Sequence, residues 1–242
     1  NTFREVYSAQ VVHDDMHMFG SANSIFYAIN YDCHKLWQFS TSDRIKSDPL
    51  VHNGNVIFTS YDDHIYSLNI ETQEVNWTFP RIHGVGKIQD PEEQTQAQTA
   101  QPAVQNPPPV EGQQPIPVVS VPTAKKEDIQ PGDFSYSSPA IGDGMVFVGN
   151  LDHHIYAVDL ETGAFKWRFK TGDTVTSSQL FYNGIVYIGS KDTNLYAVDA
   201  KDGQTVKWTF KTGGEVLSSP KLSDDAIFIG GMDGKIYAFE PT

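Results

Sequence analysis

The sequence predicts an all-β protein, a five-bladed β-propeller of four-stranded antiparallel blades. The main observation is a unit of about 40 residues that recurs five times, a length typical of one propeller blade. Composition agrees, because 19 glycines and 14 prolines among 242 residues supply many turns. The centre of each unit is a strand built around a tyrosine, and these are Tyr27, Tyr66, Tyr156, Tyr196 and Tyr237.

Each unit contains four short segments with strand patterns, always in the same order. The first reads SDPLVHNG, SSPAIGDG, SSQLFYNG or SSPKLSDD, with YSAQVVHDD as a degenerate first copy. The second reads MHMFGS, NVIFTS, MVFVGN, IVYIGS or AIFIGG, and the tyrosine strand follows it. The fourth carries Trp-x-Phe, which starts at Trp37, Trp77, Trp167 and Trp208. The alternation of apolar and polar residues in these segments predicts strands.

The fifth unit ends after its tyrosine strand and has no Trp-x-Phe segment. We expect residues 1–3 to supply the missing strand, because REVYSAQVV at 4–12 aligns without gaps to GEVLSSPKL at 214–222. Such pairing of the N-terminal strand with the C-terminal blade would close the ring and remove two exposed edges.

Residues 80–132 form an insertion between blades within a single domain that spans 1–242. The segment is rich in Pro, Gln and Glu, and its PEEQTQAQTAQPAVQNPPPVEGQQPIPVVSVP stretch contains no aromatic residue. It cannot bury enough apolar surface to offset its chain entropy, so the sequence predicts a disordered or polyproline-like loop rather than a domain.

The repeated residues have structural interpretations. Gly163 and Gly203 permit the positive φ of a tight turn. In four of the five units an aspartate lies four residues before the tyrosine and is expected to cap turn amides: Asp62, Asp152, Asp192 and Asp233. The tryptophans are expected to wedge between adjacent blades, because the phenylalanine two residues on lies on the same strand face: Trp37, Trp77, Trp167 and Trp208.

The pattern Ala-Val-Asp-x-x-Thr-Gly-x-x-x-Trp-x-Phe at 157–169 resembles the repeat of the quinoprotein-like β-propeller family, named after pyrroloquinoline quinone dehydrogenases. The repeat is also similar to that of the BamB-type outer-membrane assembly lipoproteins. The resemblance implies the fold more than any one function. The quinone enzymes would imply eight blades and a disulfide of adjacent cysteines, whereas this chain has five units and the single Cys33.

Several functions lack support in the sequence. A net charge of -13 with only 17 Lys and Arg argues against nucleic acid as a partner. No catalytic motif, no converging set of metal ligands, no cofactor site and no transmembrane segment is predicted. We therefore expect a protein that is not an enzyme.

In a four-stranded blade, the link to the next blade lies on the same side as the turn between the second and third strands. Loops on a rigid ring commonly carry recognition. His153 and His154 lie in such a turn, at a position where other copies carry different residues, so they either contact a partner or have no role. The predicted partner-binding face consists of Arg44, Lys46, Tyr61, Asp63, His64, Asn150, His153, His154, Lys191, Asn194 and Met232.

The first hypothesis is a non-catalytic scaffold or sensor domain that binds a protein partner in the periplasm or outside the cell, with a monomer favoured. The alternative is a carbohydrate-binding or glycan-processing propeller, and a quinone-dependent dehydrogenase is third. Turn residues that differ from blade to blade favour one asymmetric partner surface over a lectin with equivalent pockets.

Overall fold

The computed structural model describes residues 5–80, 133–134, 136–224 and 226–241. These ranges contain strands that form five antiparallel sheets, numbered here along the chain. Sheet 1 comprises β1 (Val11–His13), β2 (Met16–Gly20), β3 (Ile25–Ile29) and β4 (Lys35–Ser40), and sheet 2 comprises β5 (Leu50–His52), β6 (Asn55–Ser60), β7 (His64–Asn69) and β8 (Val75–Phe79). Sheet 3 comprises β9 (Ala140–Gly142), β10 (Met145–Gly149), β11 (His154–Asp159) and β12 (Phe165–Lys170), and sheet 4 comprises β13 (Leu180–Tyr182), β14 (Ile185–Gly189), β15 (Asn194–Asp199) and β16 (Val206–Lys211). Sheet 5 comprises β17 (Lys221–Ser223), β18 (Ala226–Gly230) and β19 (Ile236–Phe239).

The predicted all-β architecture is confirmed, and sheets 1 to 4 each contain four strands in sequential order. Local sequence explains the tight connection between the first two strands of a sheet. Asn53 and Gly54 have φ values of 47° and 72°, which is the pattern of a two-residue type I′ turn. Asn183 and Gly184 repeat this pattern in sheet 4, with φ values of 49° and 75°.

Sheet 5 contains three strands within the described residues, and β19 is its last strand. The predicted closure of the ring is therefore not confirmed. Residues 1–3, which were expected to pair with this sheet, lie outside the described ranges, and so does nearly all of the predicted insertion at 80–132.

A chain of hydrogen bonds joins neighbouring sheets in sequence order. In each link, the backbone N–H of one residue donates to the side chain at the same repeat position in the next sheet. Ala9 donates to Asp48 Oδ1 at 2.6 Å and Asp48 donates to Ser138 Oγ at 2.9 Å. Ser138 then donates to Ser178 Oγ at 3.0 Å, and Ser178 donates to Ser219 Oγ at 2.9 Å.

Apolar side chains fill the seams between the sheets. At each seam two faces of neighbouring sheets pack together. The face that carries the tryptophan of the earlier sheet is here called its outgoing face, and the face of the next sheet that packs against it is called the incoming face. At the first seam, Phe26 stacks on Phe58 with ring centroids 4.3 Å apart and planes 7° apart, and both side chains are fully buried. Aromatic stacking and removal of apolar area from water stabilise this contact.

The four tryptophans, Trp37, Trp77, Trp167 and Trp208, lie at these seams. Trp77 donates its indole N–H to the Leu160 carbonyl at 3.0 Å, and Trp167 donates to the Ala200 carbonyl at 2.9 Å. Each bond crosses from one sheet to the turn before the fourth strand of the next. Trp37 packs equally tightly at 8% exposure, but its indole nitrogen has no hydrogen-bond partner among the described residues.

Candidate partner-binding site

The links between sheets and the turns before the third strands lie together, as the alternation of connections predicts. Backbone hydrogen bonds join them at the same repeat position in successive sheets. Tyr61 N–H donates to the Arg44 carbonyl at 2.9 Å, and Lys191 N–H donates to the Thr174 carbonyl at 3.1 Å. Met232 N–H donates to the Glu215 carbonyl at 2.9 Å. One surface therefore carries both sets of loops.

An aspartate repeated in sheets 2 to 5 holds the turn before the third strand in place. Asp192 Oδ1 accepts the backbone N–H of Asn194 at 2.9 Å, while its Oδ2 accepts the Tyr196 hydroxyl at 2.6 Å and the Gly172 N–H of the preceding link at 2.6 Å. Burial and this carboxylate together raise the pKa of Tyr196 to about 12. The Asx cap expected from sequence is present, and it also binds a tyrosine and the neighbouring link.

The histidines of the predicted face belong to these turns. His64 Nδ1 contacts the Asp62 carbonyl, and His154 Nδ1 contacts the Asp152 carbonyl at 2.8 Å. The backbone carbonyl of His153 accepts the Thr171 N–H at 2.9 Å. All three side chains are half-buried. The structure therefore gives these residues a part in turn geometry.

Two of these turn groups are electrostatically coupled. Burial raises the pKa of Asp62, but the His64 imidazole 3.5 Å from its Oδ1 and hydrogen bonds from the Ser42 amide and the Tyr66 hydroxyl outweigh burial, so this pKa lies below its ordinary value. Burial lowers the pKa of His64, but its contact with the Asp62 carbonyl and the charge of the Asp62 carboxylate outweigh burial, so the pKa of His64 is raised. Both shifts favour the charged pair.

The remaining predicted residues differ in accessibility. Met232 is 67% exposed, and Lys191 and Asn194 are half-buried in the turn of sheet 4. Asn150 is only 1% exposed, and its Oδ1 accepts the Asp152 N–H at 2.9 Å. It stabilises the turn from inside and is not open to a partner.

Three of the predicted residues, Arg44, Lys46 and Tyr61, come together with two residues that sequence analysis did not select. The Lys46 ammonium lies 4.6 Å from the ring centroid of Tyr7, 5.1 Å from that of Tyr61 and 6.0 Å from that of Tyr136. The Arg44 guanidinium lies 4.8 Å from the Tyr61 ring centroid. These five residues are called the tyrosine–lysine cluster below.

The cluster has a simple origin in the repeat. Tyr7, Lys46 and Tyr136 directly precede Ser8, Ser47 and Ser137, which lie just before the first strands of sheets 1, 2 and 3, so they occupy one repeat position in three consecutive sheets. Ser47 and Ser137 anchor this position, since each Oγ accepts a second-strand N–H at 2.9 Å. Comparison of YSAQ, KSDP and YSSP could have found the row, since the alignment of 4–12 to 214–222 already places Tyr7 directly before a repeated serine.

The cluster is open to solvent and polar at its edge. Tyr7 is 57% exposed and Tyr136 is 53% exposed. Tyr61, whose ring centroid lies 5.6 Å from that of Tyr136, raises the pKa of Tyr136, and burial followed by the charge of Asp133 raises the pKa of Asp63. A cavity of about 400 Å³ lies beside Arg44 and is lined by Ala22, Asn23, Ser24, Asp43 and Arg44.

Within the described ranges, no three His, Cys, Asp or Glu side chains are grouped so that they could hold a metal ion. The same part of the chain contains no helix long and apolar enough to cross a membrane.

Comparisons with known proteins show the family of the chain. The family model described as outer membrane protein assembly factor BamB matches residues 7–107 and 119–242. The chain belongs to the BamB family. No curated protein sequence matches it.

The similarity of this chain to solved structures indicates a β-propeller fold. BamB from Moraxella catarrhalis is similar over 99% of this chain and 60% of its own, with a TM-score of 0.67 and 15% identity. The computationally designed Ika8 protein is similar over 96% of this chain and 57% of its own, with a TM-score of 0.65 and 14% identity. The WD40 β-propeller domain of Doa1 is similar over 96% and 63%, with a TM-score of 0.60 and 14% identity. The chain thus spans less than two thirds of each of these structures.

Proposed function

We propose that this chain is a non-catalytic, extracytoplasmic propeller that serves as a protein-interaction scaffold and binds its partner through the tyrosine–lysine cluster. The observation that carries the proposal is the exposure of Tyr7 and Tyr136 on either side of Lys46. Tyrosine and arginine are, with tryptophan, enriched among the residues that contribute most to binding energy at protein interfaces.

The rigidity of the surface supports this role. Tyr61 is fixed by its backbone bond to Arg44, and the serine anchors fix the positions of Lys46 and Tyr136. A preorganised surface loses little conformational entropy when a partner binds. The family is described by its part in outer membrane protein assembly, which supports both a protein partner and an extracytoplasmic location.

Capture from an extracytoplasmic extract tests the binding surface. A Lys46→Ala/Tyr136→Ala double variant is compared with the intact chain and with a Lys191→Ala/Met232→Ala variant, which alters the same side in sheets 4 and 5. We expect one protein to bind the intact chain and the control variant but not the cluster variant. Equal capture by all three, or capture of polysaccharide alone, would contradict the proposal.

Cys33 provides a separate test of location because it is exposed. A membrane-impermeant maleimide is applied to whole cells that make the chain, after the outer membrane alone has been permeabilised. We expect Cys33 to be labelled before lysis, with a Cys33→Ser variant as the blank. Labelling that begins only after lysis would place the chain inside the inner membrane.

A further inference from the structure

Three tyrosine rings of the tyrosine–lysine cluster form an aromatic cage. The ring centroids of Tyr61 and Tyr136 lie 5.6 Å apart and their planes meet at 57°, so these rings form two walls, and Tyr7 supplies a third. The Lys46 ammonium is within 6.0 Å of the three ring centroids and lies nearest to that of Tyr7, at 4.6 Å. Aromatic rings arranged in this way attract a cation to their negative faces. The cage thus holds a lysine of the chain itself.

The rings alone hold the Lys46 ammonium. Among the described residues, no carboxylate lies within ion-pairing distance of it, whereas Lys166 pairs with Asp159 at 2.9 Å and Lys207 pairs with Asp199 at 2.9 Å. A cation–π contact that is open to solvent is weak, and the lysine stem is long and flexible. The ammonium can therefore leave the cage at little cost.

The backbone at this position does not depend on the lysine. Ser47 Oγ accepts the Thr59 N–H at 2.9 Å and donates to the Thr59 carbonyl at 3.0 Å, which anchors the segment. Thr176 stands at the position of Lys46 in sheet 4, directly before Ser177. The fold therefore keeps the cage in place whether the ammonium lies inside it or in solvent.

Negative charge lies beside the cage. After burial, the charges of Asp133 and Asp43 contribute to the raised pKa of Asp63, so these carboxylates lie near one another, and the charge of Asp133 also acts on Tyr136. Arg44 offsets part of this charge, since its Nε lies 3.4 Å from Asp43 Oδ1. The whole chain carries a net charge of -13. Such a surface attracts cationic partners over a long range and repels anionic ones.

We propose that the cage binds a basic side chain of the protein partner, and that Lys46 occupies the cage until that side chain enters. This assignment rests on the proposed function, because it gives the chemistry of the partner that binds the cluster. The incoming ammonium or guanidinium group takes over the ring contacts, while the Lys46 ammonium moves into water. The cage is competent only in the fraction of molecules in which Lys46 is outside, so occupancy by Lys46 lowers the apparent affinity for any other cation.

An arginine peptide tests the cage directly. The probe is acetyl-Gly-Gly-Arg-Gly-Gly-amide, and its control carries citrulline, which has nearly the same shape and no charge. Nuclear magnetic resonance signals of the tyrosine rings follow the titration of the 242-residue chain. We expect a Lys46→Thr variant to bind the arginine peptide about tenfold more tightly than the intact chain does, with no such gain for the citrulline peptide.

Two further variants separate the cage from the general effect of charge. Lys201→Thr removes the same charge from an exposed turn of sheet 4, and we expect it to bind the arginine peptide as the intact chain does. Tyr136→Ala, added to Lys46→Thr, removes one wall and should abolish the gain. A thermal melt checks that each variant is folded. If Lys46→Thr gained nothing, or if the citrulline peptide gained equally, the proposal would be overturned.

The result distinguishes the cage from the scaffold role. A gain for Lys46→Thr, combined with equal capture of proteins by all the variants in the extract experiment, would retain the cage and contradict the proposed binding surface. Capture that depends on the cluster, combined with no gain for Lys46→Thr, would retain the scaffold role and overturn the cage.

Discussion

The indole N–H of Trp167 donates to the carbonyl of Ala200 at 2.9 Å, and this bond ties sheet 3 to sheet 4. Trp167 is 7% exposed, and so it also contributes one of the larger apolar contacts of the seam. Trp37 occupies the same position in sheet 1 at 8% exposure but without a hydrogen bond within the described residues. A comparison of these two tryptophans can therefore distinguish what packing contributes to stability from what the indole hydrogen bond contributes.

We expect Trp167→Phe to lower the free energy of unfolding by about 1 kcal/mol more than Trp37→Phe, since only the first leaves a buried carbonyl without its donor. Urea unfolding followed by circular dichroism measures both. Equal losses would show that the indole hydrogen bond contributes nothing to the seam.

The second prediction concerns a glycine under a tryptophan. Gly203 has φ of +62°, and a Cβ there would lie 2.1 Å from Trp167 Cδ2. Gly54 has φ of +72° with open space around it. Both alanine variants incur backbone strain of about 1 kcal/mol, but Gly203→Ala also overpacks the seam by about 1–3 kcal/mol. Thermal and urea unfolding should therefore rank Gly203→Ala well below Gly54→Ala, and similar stabilities would contradict the close packing.

The third prediction concerns pH. The pKa of His64 is raised in the folded state, so its contribution to stability is present below the unfolded value of about 6.5 and is lost as pH rises through the folded pKa. We expect the intact chain to lose roughly 0.5 kcal/mol between about pH 6 and about pH 8 from this partly exposed pair.

The matched variant is His64→Asn, because Asn194 occupies this position in sheet 4 and donates its Nδ2 to the Asp192 carbonyl at 3.3 Å. The variant should retain the turn and show a flatter stability profile over the same pH range. An unchanged profile would assign the pH dependence to other groups.

The fourth prediction concerns the insertion at 80–132. If this segment is disordered as its composition indicates, brief trypsin digestion should cut first at Lys87, Lys125 or Lys126. The two fragments should remain together on gel filtration, because Phe79 contacts Tyr156 and the Asp48 N–H donates to Ser138 across the cut. First cuts at exposed lysines of the sheets, such as Lys201, would show that the insertion is ordered.

Sequence patterns predicted the local elements well. The recurring tyrosine strands follow from a period of two, and the turn glycines Gly163 and Gly203 follow from the φ values that glycine accepts. The positions of the seam tryptophans could be inferred for the same reason, since strand alternation places Trp and the phenylalanine two residues on together on one face.

The candidate site was only partly predictable. Arg44, Lys46 and Tyr61 were selected from topology, but Tyr7 and Tyr136 were not, and Asn150 proved to be buried. Contacts among side chains from three sheets depend on how closely the seams bring those sheets together, and no local period encodes that distance.

The sequence by itself determined the repeat, the strands and turns within it, and the side of the sheets on which links and turns meet. Only the tertiary structure decided that Lys46 is surrounded by three tyrosines, that Trp37 lacks the bond made by Trp167, and that Ile236 is exposed while Ile155 is buried. Residues at one repeat position have the same local chemistry in every copy. Their burial and partners depend on what packs against each sheet, and that is a property of the whole arrangement.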